Sequence, residues 1–304
     1  MKKMETKNGK PGIGSGILVL GILGAFIVAT LIGGCIGGEK APDNKSPGSE
    51  PSKGGGSVSS LTISGSTTVL PVAQKAADEF MAKNTNINVQ ISAGGSSVGV
   101  EAVGTGTADI GMSSRDLKAE EKAKYPDLVQ HVIAKDGIAI IVHPSNTVSS
   151  LTAEQVKKIY EGTFTNWKEL GGDDKKIVVV SRDSASGTRE FFWEYVMKKG
   201  NFTKTALEKN SNGAIQQTIS QTPGAIGYVG LGYLENVKEV KIDKDGQLIE
   251  PNVRNVLDNK YPISRGLYML TKGPATGTAK EYIDFILGAE GQKLVEQEGF
   301  VPLS

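Results

Sequence analysis

The chain has 304 residues, enough for one large or two medium domains with cores of their own. A formal net charge of +1 excludes the basic face that a nucleic-acid binder needs, so no nucleic-acid partner is expected. The 39 glycines imply many turns and close backbone approaches. The single cysteine excludes an internal disulfide, so stability must come from the core alone.

Lys2, Lys3, Lys7 and Lys10 form a positive start, and an uncharged apolar run follows from Ile17 to Ile32. It ends in "LIGGC", with Cys35 directly after two glycines. This is the layout of a secretory signal with small residues before a cleavage point. It resembles a lipobox, in which Cys35 becomes the lipidated first residue of the mature protein. The alternative is an uncleaved membrane anchor with an incidental cysteine, although the run is shorter than the ~20 residues of a spanning helix. Either arrangement holds the chain at the outer face of the cytoplasmic membrane. Residues 36–57, "IGGEKAPDNKSPGSEPSKGGGS", have no hydrophobic periodicity and read as a disordered Gly/Ser/Pro tether. Residues 1–35 carry four lysines and Glu5, so without them the net charge falls to −2.

The body then repeats one pattern four times. Leu61 and Ile63 begin a strand, Gly65-Ser66-Thr67-Thr68 turns, and Pro71 falls in the first turn of a helix, where its missing N–H costs nothing. Val89 and Ile91 alternate as a strand, Gly94-Gly95-Ser96-Ser97 turns, and a short helix follows. Ala108 to Met112 is the third strand, with Ser113-Ser114 as its turn and a charged helix beyond. "KIVVVSRDSASGTREFFWEYVMKKG" is the fourth, with Gly200 as the expected helix stop. Its "REFFWEY" segment reads as a core helix face, "TPGAIGYVGLGYL" (222–234) as a buried strand and turn, and "VKEVKIDKDGQL" as a solvated hairpin turning at Asp245-Gly246.

Alternating strands and helices define an α/β architecture with largely parallel sheets, whose ligands bind beyond the carboxyl ends of the strands. Ser181 to Arg189 packs four hydroxyls and two arginines into nine residues. A hydroxyl before a helix is most often a cap. Four such turns at the same topological position instead point to a converging site. Helix N-terminal amides, hydroxyls and one or two arginines favour an anion. No Walker-type glycine–lysine loop is present, which disfavours a nucleotide, and a small tetrahedral oxyanion fits best.

Enzyme readings are weak. His131 and His143 lie near or in apolar strand-like runs and read as structural. No His/Cys/Asp spacing suits zinc and no nucleophile–base pair is visible, so no catalytic residue, metal or cofactor is expected.

The ordered stretches "GSTTVLP" (65–71), "AGGSSVG" (93–99), "SASGTR" (184–189) and "TPGAIGYV" (222–229) resemble the PstS family, the phosphate-binding proteins of phosphate ABC importers, within the periplasmic-binding-protein superfamily. "SLTAEQVKKIYEGTFTNWKEL" (150–170) and "YPISRGLYML" (261–270) support the match, which spans roughly Ser60 to Pro302. The resemblance implies a two-lobed, type II periplasmic-binding-protein fold that closes over one phosphate about a hinge. It implies phosphate ligands Ser66, Thr67, Thr68 and Ser96 from one lobe, and Arg182, Ser186, Gly187 and Thr188 from the other. Many family members carry an aspartate after the third strand, where it accepts a hydrogen bond from protonated phosphate and rejects sulfate through an unpaired charge. Ser114 occupies that position here, followed by Arg115, and is itself a candidate ligand; Asp183 and Glu101 are neighbouring acids in sequence.

The expected lobes are 58–140 plus 263–304, and 141–262, with hinge crossovers near Ile141–His143 and Tyr261–Ser264. The expected function is a membrane-anchored, extracytoplasmic phosphate receptor, a monomer that delivers its anion to permease subunits. A receptor for sulfate, molybdate or tungstate remains open because of Ser114. A secreted phosphatase-like enzyme and a surface adhesin with a vestigial site are the readings from other classes.

Overall fold

The computed structural model describes residues 58–303; Cys35, the apolar run and the tether lie outside them. Among the described residues no helix is long and apolar enough to cross a membrane. In chain order the elements are β1 (Ser59–Gly65), α1 (Leu70–Lys83), β2 (Ile87–Ala93), α2 (Ser96–Thr105), β3 (Ile110–Ser113), α3 (Ala119–Lys124), β4 (Leu128–Val142), β5 (Ser150–Thr152) and α4 (Ala153–Glu161). They continue with β6 (Val178–Arg182), α5 (Gly187–Tyr195), β7 (Leu207–Lys209), α6 (Asn212–Gln221), β8 (Ala225–Gly230), β9 (Lys238–Lys244) and β10 (Gln247–Ile249). The last four are α7 (Val253–Leu257), β11 (Ser264–Lys272), α8 (Gly277–Leu287) and α9 (Ala289–Gln297).

The main strand order is β2-β1-β3-β11-β4-β8-β6-β7. Both flanks are parallel, as the strand–turn–helix repeats predict: β1 with β2 and β3, and β6 with β7 and β8. The centre is antiparallel, with β11 against β3 and β4, and β4 against β8. The reason lies in the chain path. β4 carries the chain out of the first half and β11 brings it back, so the two run in opposite directions.

β4 has 15 residues and changes partner along its length. Leu128 to Gly137 pairs with β11, and Ile138 to Val142 pairs with β8. The hydrophobic core changes at the same place. Ile133 and Ala134 belong with Leu61, Ile63, Phe80 and Leu267, whereas Ile138 to Val142 belong with Trp167, Phe192, Tyr228 and Ile263. Two cores on one shared pair of strands make a two-lobed fold.

Several local expectations hold. Pro71 lies in the first turn of α1, β8 is buried throughout, and Asp245 and Gly246 turn the β9–β10 hairpin with φ of 55° and 86°. The "REFFWEY" face is a core face, with Phe192 fully buried and stacked on Tyr228 at 4.1 Å and Phe191 and Trp193 packed against the same core, although Tyr195 is exposed. One expectation does not hold. α5 ends at Tyr195 rather than at Gly200, because Lys198 and Lys199 adopt left-handed φ of 50° and 62° and turn the chain early.

Candidate functional site

The carboxyl ends of β1, β2, β3 and β6 bring their turns to one point, and the side chains there are nearly all inaccessible to solvent. Ser66, Thr67, Thr68, Ser96, Ser114, Arg182, Ser186 and Thr188 are all buried, although every one is polar. The two halves of the fold touch directly. Thr68 Oγ1 lies 3.0 Å from Thr188 Oγ1, and the Ser97 amide donates to the Ala185 carbonyl at 3.1 Å. Gly187 explains how α5 comes so close. A Cβ there would collide with Ser96 Oγ and stand 2.9 Å from Ser114 Oγ. Gly95, with φ of +99°, allows the same approach from the other side, where a Cβ would meet the Ala185 carbonyl oxygen at 2.6 Å.

Four helices begin at this cluster. α1 starts two residues after Thr68, α2 at Ser96 and α5 at Gly187, while α6 starts at Asn212, which contacts Thr67 and Thr68. Their N-terminal dipoles give the region a positive potential with no charged side chain needed.

The hydroxyls are arranged as donors. The Asn212 side-chain amide donates to Thr67 Oγ1 at 3.1 Å and to Thr68 Oγ1 at 2.9 Å, and Arg265 Nη2 donates to Thr68 Oγ1 at 3.3 Å. Ser96 Oγ accepts the Ser114 amide at 3.0 Å, Ser66 Oγ accepts the Thr68 amide at 3.2 Å, and Ser186 Oγ accepts the Arg189 amide at 3.1 Å. A hydroxyl whose lone pair is already engaged has its own proton left to give. Thr68, with both lone pairs filled, gives its proton to Thr188 Oγ1 at 3.0 Å, so Ser66, Thr67, Ser96, Ser186 and Thr188 are the five hydroxyls that form a surface asking for an acceptor.

Each arginine near the cluster has a different standing. Arg182, at the end of β6, donates Nε to the Lys209 carbonyl and Nη2 to the Asn210 carbonyl, both at 3.2 Å. Its Nη1 is buried with no partner among the described residues. Burial pushes its guanidinium below the ordinary range, and Arg265 adds to that. Arg115 is engaged by Glu121 through both Nη atoms, at 2.7 and 2.6 Å. Arg189 turns away, with its guanidinium 4.8 Å from the Phe202 ring and 3.7 Å from Glu208.

The acids adjacent in sequence are not in the cluster. Glu101 is exposed and paired with Lys124, and Asp183 accepts the Ala185 amide within its own turn. The buried carboxylate beside the hydroxyls is Asp136, which is ion-paired with Arg265 at 2.8 Å. Burial raises the Asp136 carboxyl and lowers the Arg265 guanidinium, so each loses part of its preference for the charged form. Asn212, Asp136 and Arg265 are therefore the neighbours that sequence reasoning missed. The available clue to the last two was an acid in the apolar run of β4 and an arginine in that of β11.

His131 Nε2 pairs with the Thr271 hydroxyl, and His143 Nδ1 pairs with Ser145; both histidines lie outside the cluster. No group of three or more potential metal ligands occurs among the described residues. An open groove of about 1300 Å³ borders the site, with Arg115 and Lys118 on one wall and Ser181, Arg189 and Trp193 on the other. Lys118 Nζ reaches Glu190 across it at 3.1 Å.

Two lobes closing on a buried set of polar turns define a binding protein of the periplasmic type, and residues 49–290 match the PBP superfamily domain. The phosphate-binding protein PstS of Bacillus subtilis is 36% identical to this chain over 95% of it and 94% of that protein. The PstS of Borreliella burgdorferi is 32% identical over 79% of this chain and 89% of that protein. A substrate-binding protein of Clostridium perfringens, assigned to phosphate ABC transport and crystallised with bound phosphate, superimposes with a TM-score of 0.76. It is 42% identical over 81% of this chain and all of that one. The chain belongs to the PstS family of phosphate-binding proteins.

Proposed function

We propose that this protein captures one inorganic phosphate between its lobes and releases it, unchanged, to the permease of an ABC importer. The observation that carries the reading is the donor arrangement. Five buried hydroxyls with their lone pairs engaged, four helix N-termini and an unpartnered Arg182 Nη1 suit a small oxyanion and nothing apolar. In this proposal Ser66, Thr67, Thr68, Ser96 and Ser114 meet the anion from one lobe. Arg182, Ser186, Gly187 and Thr188 meet it from the other, with Gly187 contributing backbone only.

The lobes proposed are 58–140 plus 263–304, and 141–262, hinged where β4 and β11 pass between the two cores. Closure would exclude water and so strengthen each donor. The relatives named for phosphate binding and phosphate ABC transport support the ligand and the importer. The lysine-rich start, the apolar run and Cys35 ahead of residue 58 support an extracytoplasmic setting. We place the protein on the outer face of the membrane through a lipid on Cys35, as a monomer. Replacing Cys35 by Ala is expected to release the protein from the membrane fraction; continued retention would argue for a helical anchor.

The test of the ligand is a calorimetric titration of the purified protein, stripped of anions, with phosphate and then with sulfate. One-to-one phosphate binding is expected, without hydrolysis of a chromogenic phosphate ester. Absence of phosphate heat would overturn the assignment. A second reading, a receptor for another tetrahedral oxyanion, is favoured by one observation: no carboxylate lies where Ser114 stands. Stronger binding of sulfate or molybdate than of phosphate would select it.

A further inference from the structure

Two buried guanidinium groups serve the hydroxyl cluster, and only one of them has a carboxylate. Arg182 is held by two backbone carbonyls. Arg265, with a side chain only 1% exposed, donates Nε and Nη2 to Asp136 Oδ2 at 3.0 and 2.8 Å. The same Nη2 reaches Thr68 Oγ1, the hydroxyl that also contacts Thr188 and Asn212. In both arginines Nη1 is buried and has no partner among the described residues.

A buried N–H of a charged group without an acceptor bears its full desolvation penalty. Asp136 has nothing further to offer, because Oδ2 takes both Arg265 bonds and Oδ1 takes the Leu231 amide at 3.0 Å. Gly230 leaves the room for this arrangement: a Cβ there would come within 2.9 Å of both Asp136 Oδ2 and Thr68 Cγ2. A pair of arginines beside one set of hydroxyls, each with an unused Nη1, is a joint demand for a shared acceptor.

We infer that Arg265 is a second cationic ligand of the anion site, positioned by Asp136 so that its Nη1 faces the bound oxyanion. This rests on the anion-binding reading above and adds a residue to it. The competing role is a strut, an internal ion pair that fastens β4 to β11 and is indifferent to ligand.

Thermal unfolding of the purified protein, with and without saturating inorganic phosphate, separates the two roles. Four chains are compared: the natural one, Asp136→Asn, the double variant Asp136→Asn/Arg265→Met, and Arg265→Lys. Asp136→Asn leaves a buried guanidinium without its counter-ion, so the ligand-free midpoint falls. Phosphate then supplies the missing charge and raises the midpoint by more than it does in the natural chain. The double variant buries no charge at this position and folds, but binds phosphate at least tenfold more weakly and gains less from it. Arg265→Lys, which keeps the charge and loses Nη1, weakens binding about tenfold without removing the ion pair. Equal phosphate-induced shifts in all chains would make Arg265 a strut and overturn the inference. No shift in the natural chain would overturn the phosphate reading itself, a result visible without any variant.

Discussion

The turns after β3 and β6 are built from the same ingredients and do different work. Each has an arginine within two residues of the strand end and several hydroxyls beside it. After β3, Arg115 is clasped by Glu121 through two short bonds and also reaches Ser97 Oγ at 3.1 Å, so its charge is neutralised and the turn is fastened to α3. After β6, Arg182 finds only the carbonyls of Lys209 and Asn210, which orient the guanidinium without cancelling its charge. Proximity to hydroxyls in sequence does not make an arginine an anion ligand. What decides is whether its Nη donors are already spent: Glu121 takes both of those of Arg115, whereas Arg182 keeps a buried Nη1 with no partner among the described residues.

The comparison is broken most directly at the glycine on which the β6 turn depends. Gly187→Ala places a methyl group against Ser96 Oγ and Ser114 Oγ, so the two halves no longer meet. Phosphate affinity is expected to fall at least 100-fold, about 2.7 kcal/mol, while the ligand-free thermal midpoint stays close to that of the natural chain. Calorimetry giving an unchanged Kd would mean that closure does not depend on this contact. Next in size is a matched pair. Arg182→Met removes an unneutralised donor and should cost about 2–5 kcal/mol of phosphate binding. Arg115→Met instead leaves Glu121 without its partner and should cost about 3–5 kcal/mol of stability with little change in affinity. If both variants lose affinity equally, the distinction between the turns fails.

How much of this was legible in the sequence follows from the range of each interaction. The strand–turn–helix repeats, the hairpin at Asp245-Gly246 and the hydroxyl turns depend on neighbours a few residues apart, and a single sequence carries them. The antiparallel centre does not, because the pairing of Ser264 with Gly137 joins segments more than a hundred residues apart. The same distance hid Asp136 and Arg265, each of which reads as a charge in a largely apolar strand with no partner in sight. Asn212 was hidden differently: it opens a helix after Ser211, where asparagine passes for capping chemistry, yet its amide faces Thr67 and Thr68. The end of α5 was misjudged because Gly200 is a plausible stop. The left-handed turn falls instead on two lysines that carry no such preference.

Ser114 sharpens the comparison from the specificity side. Its amide donates to Ser96 Oγ and its hydroxyl lies 3.3 Å from the same oxygen, so it sits at the anion cluster with no charge of its own. A carboxylate there would accept a hydrogen bond from the P–OH of hydrogen phosphate and would repel sulfate, which has no such donor. Ser114→Asp is therefore expected to lower sulfate affinity by at least about tenfold more than phosphate affinity, one unpaired buried contact being worth about 1–3 kcal/mol. Competition of the two anions in one titration reads the ratio, and a ratio that does not move would place selectivity elsewhere in the site.

The smallest effect belongs to the neutralised arginine's partner and is best read against pH. Burial works to raise the Glu121 carboxyl, but the hydrogen bonds from Arg115 and the Lys118 amide, with the charges of both residues, outweigh it and hold the group below its ordinary value. A carboxyl whose folded value is depressed contributes stability above its unfolded value, about 4.3, and loses that contribution as pH falls through the folded value. Glu121→Gln removes the contribution, so at neutral pH the variant should be less stable by about 1.5–3 kcal/mol, the worth of hydrogen bonds to a charged group. Below pH about 4 the two denaturation curves should converge, because the natural chain is then losing the charge that the variant never had. Phosphate affinity at neutral pH should differ by no more than about twofold, since Glu121 acts on Arg115 and Arg115 is no part of the proposed site. A gap that stays constant from neutral to acid pH would show that glutamine fails through packing and that the ion pair was not the source of the difference.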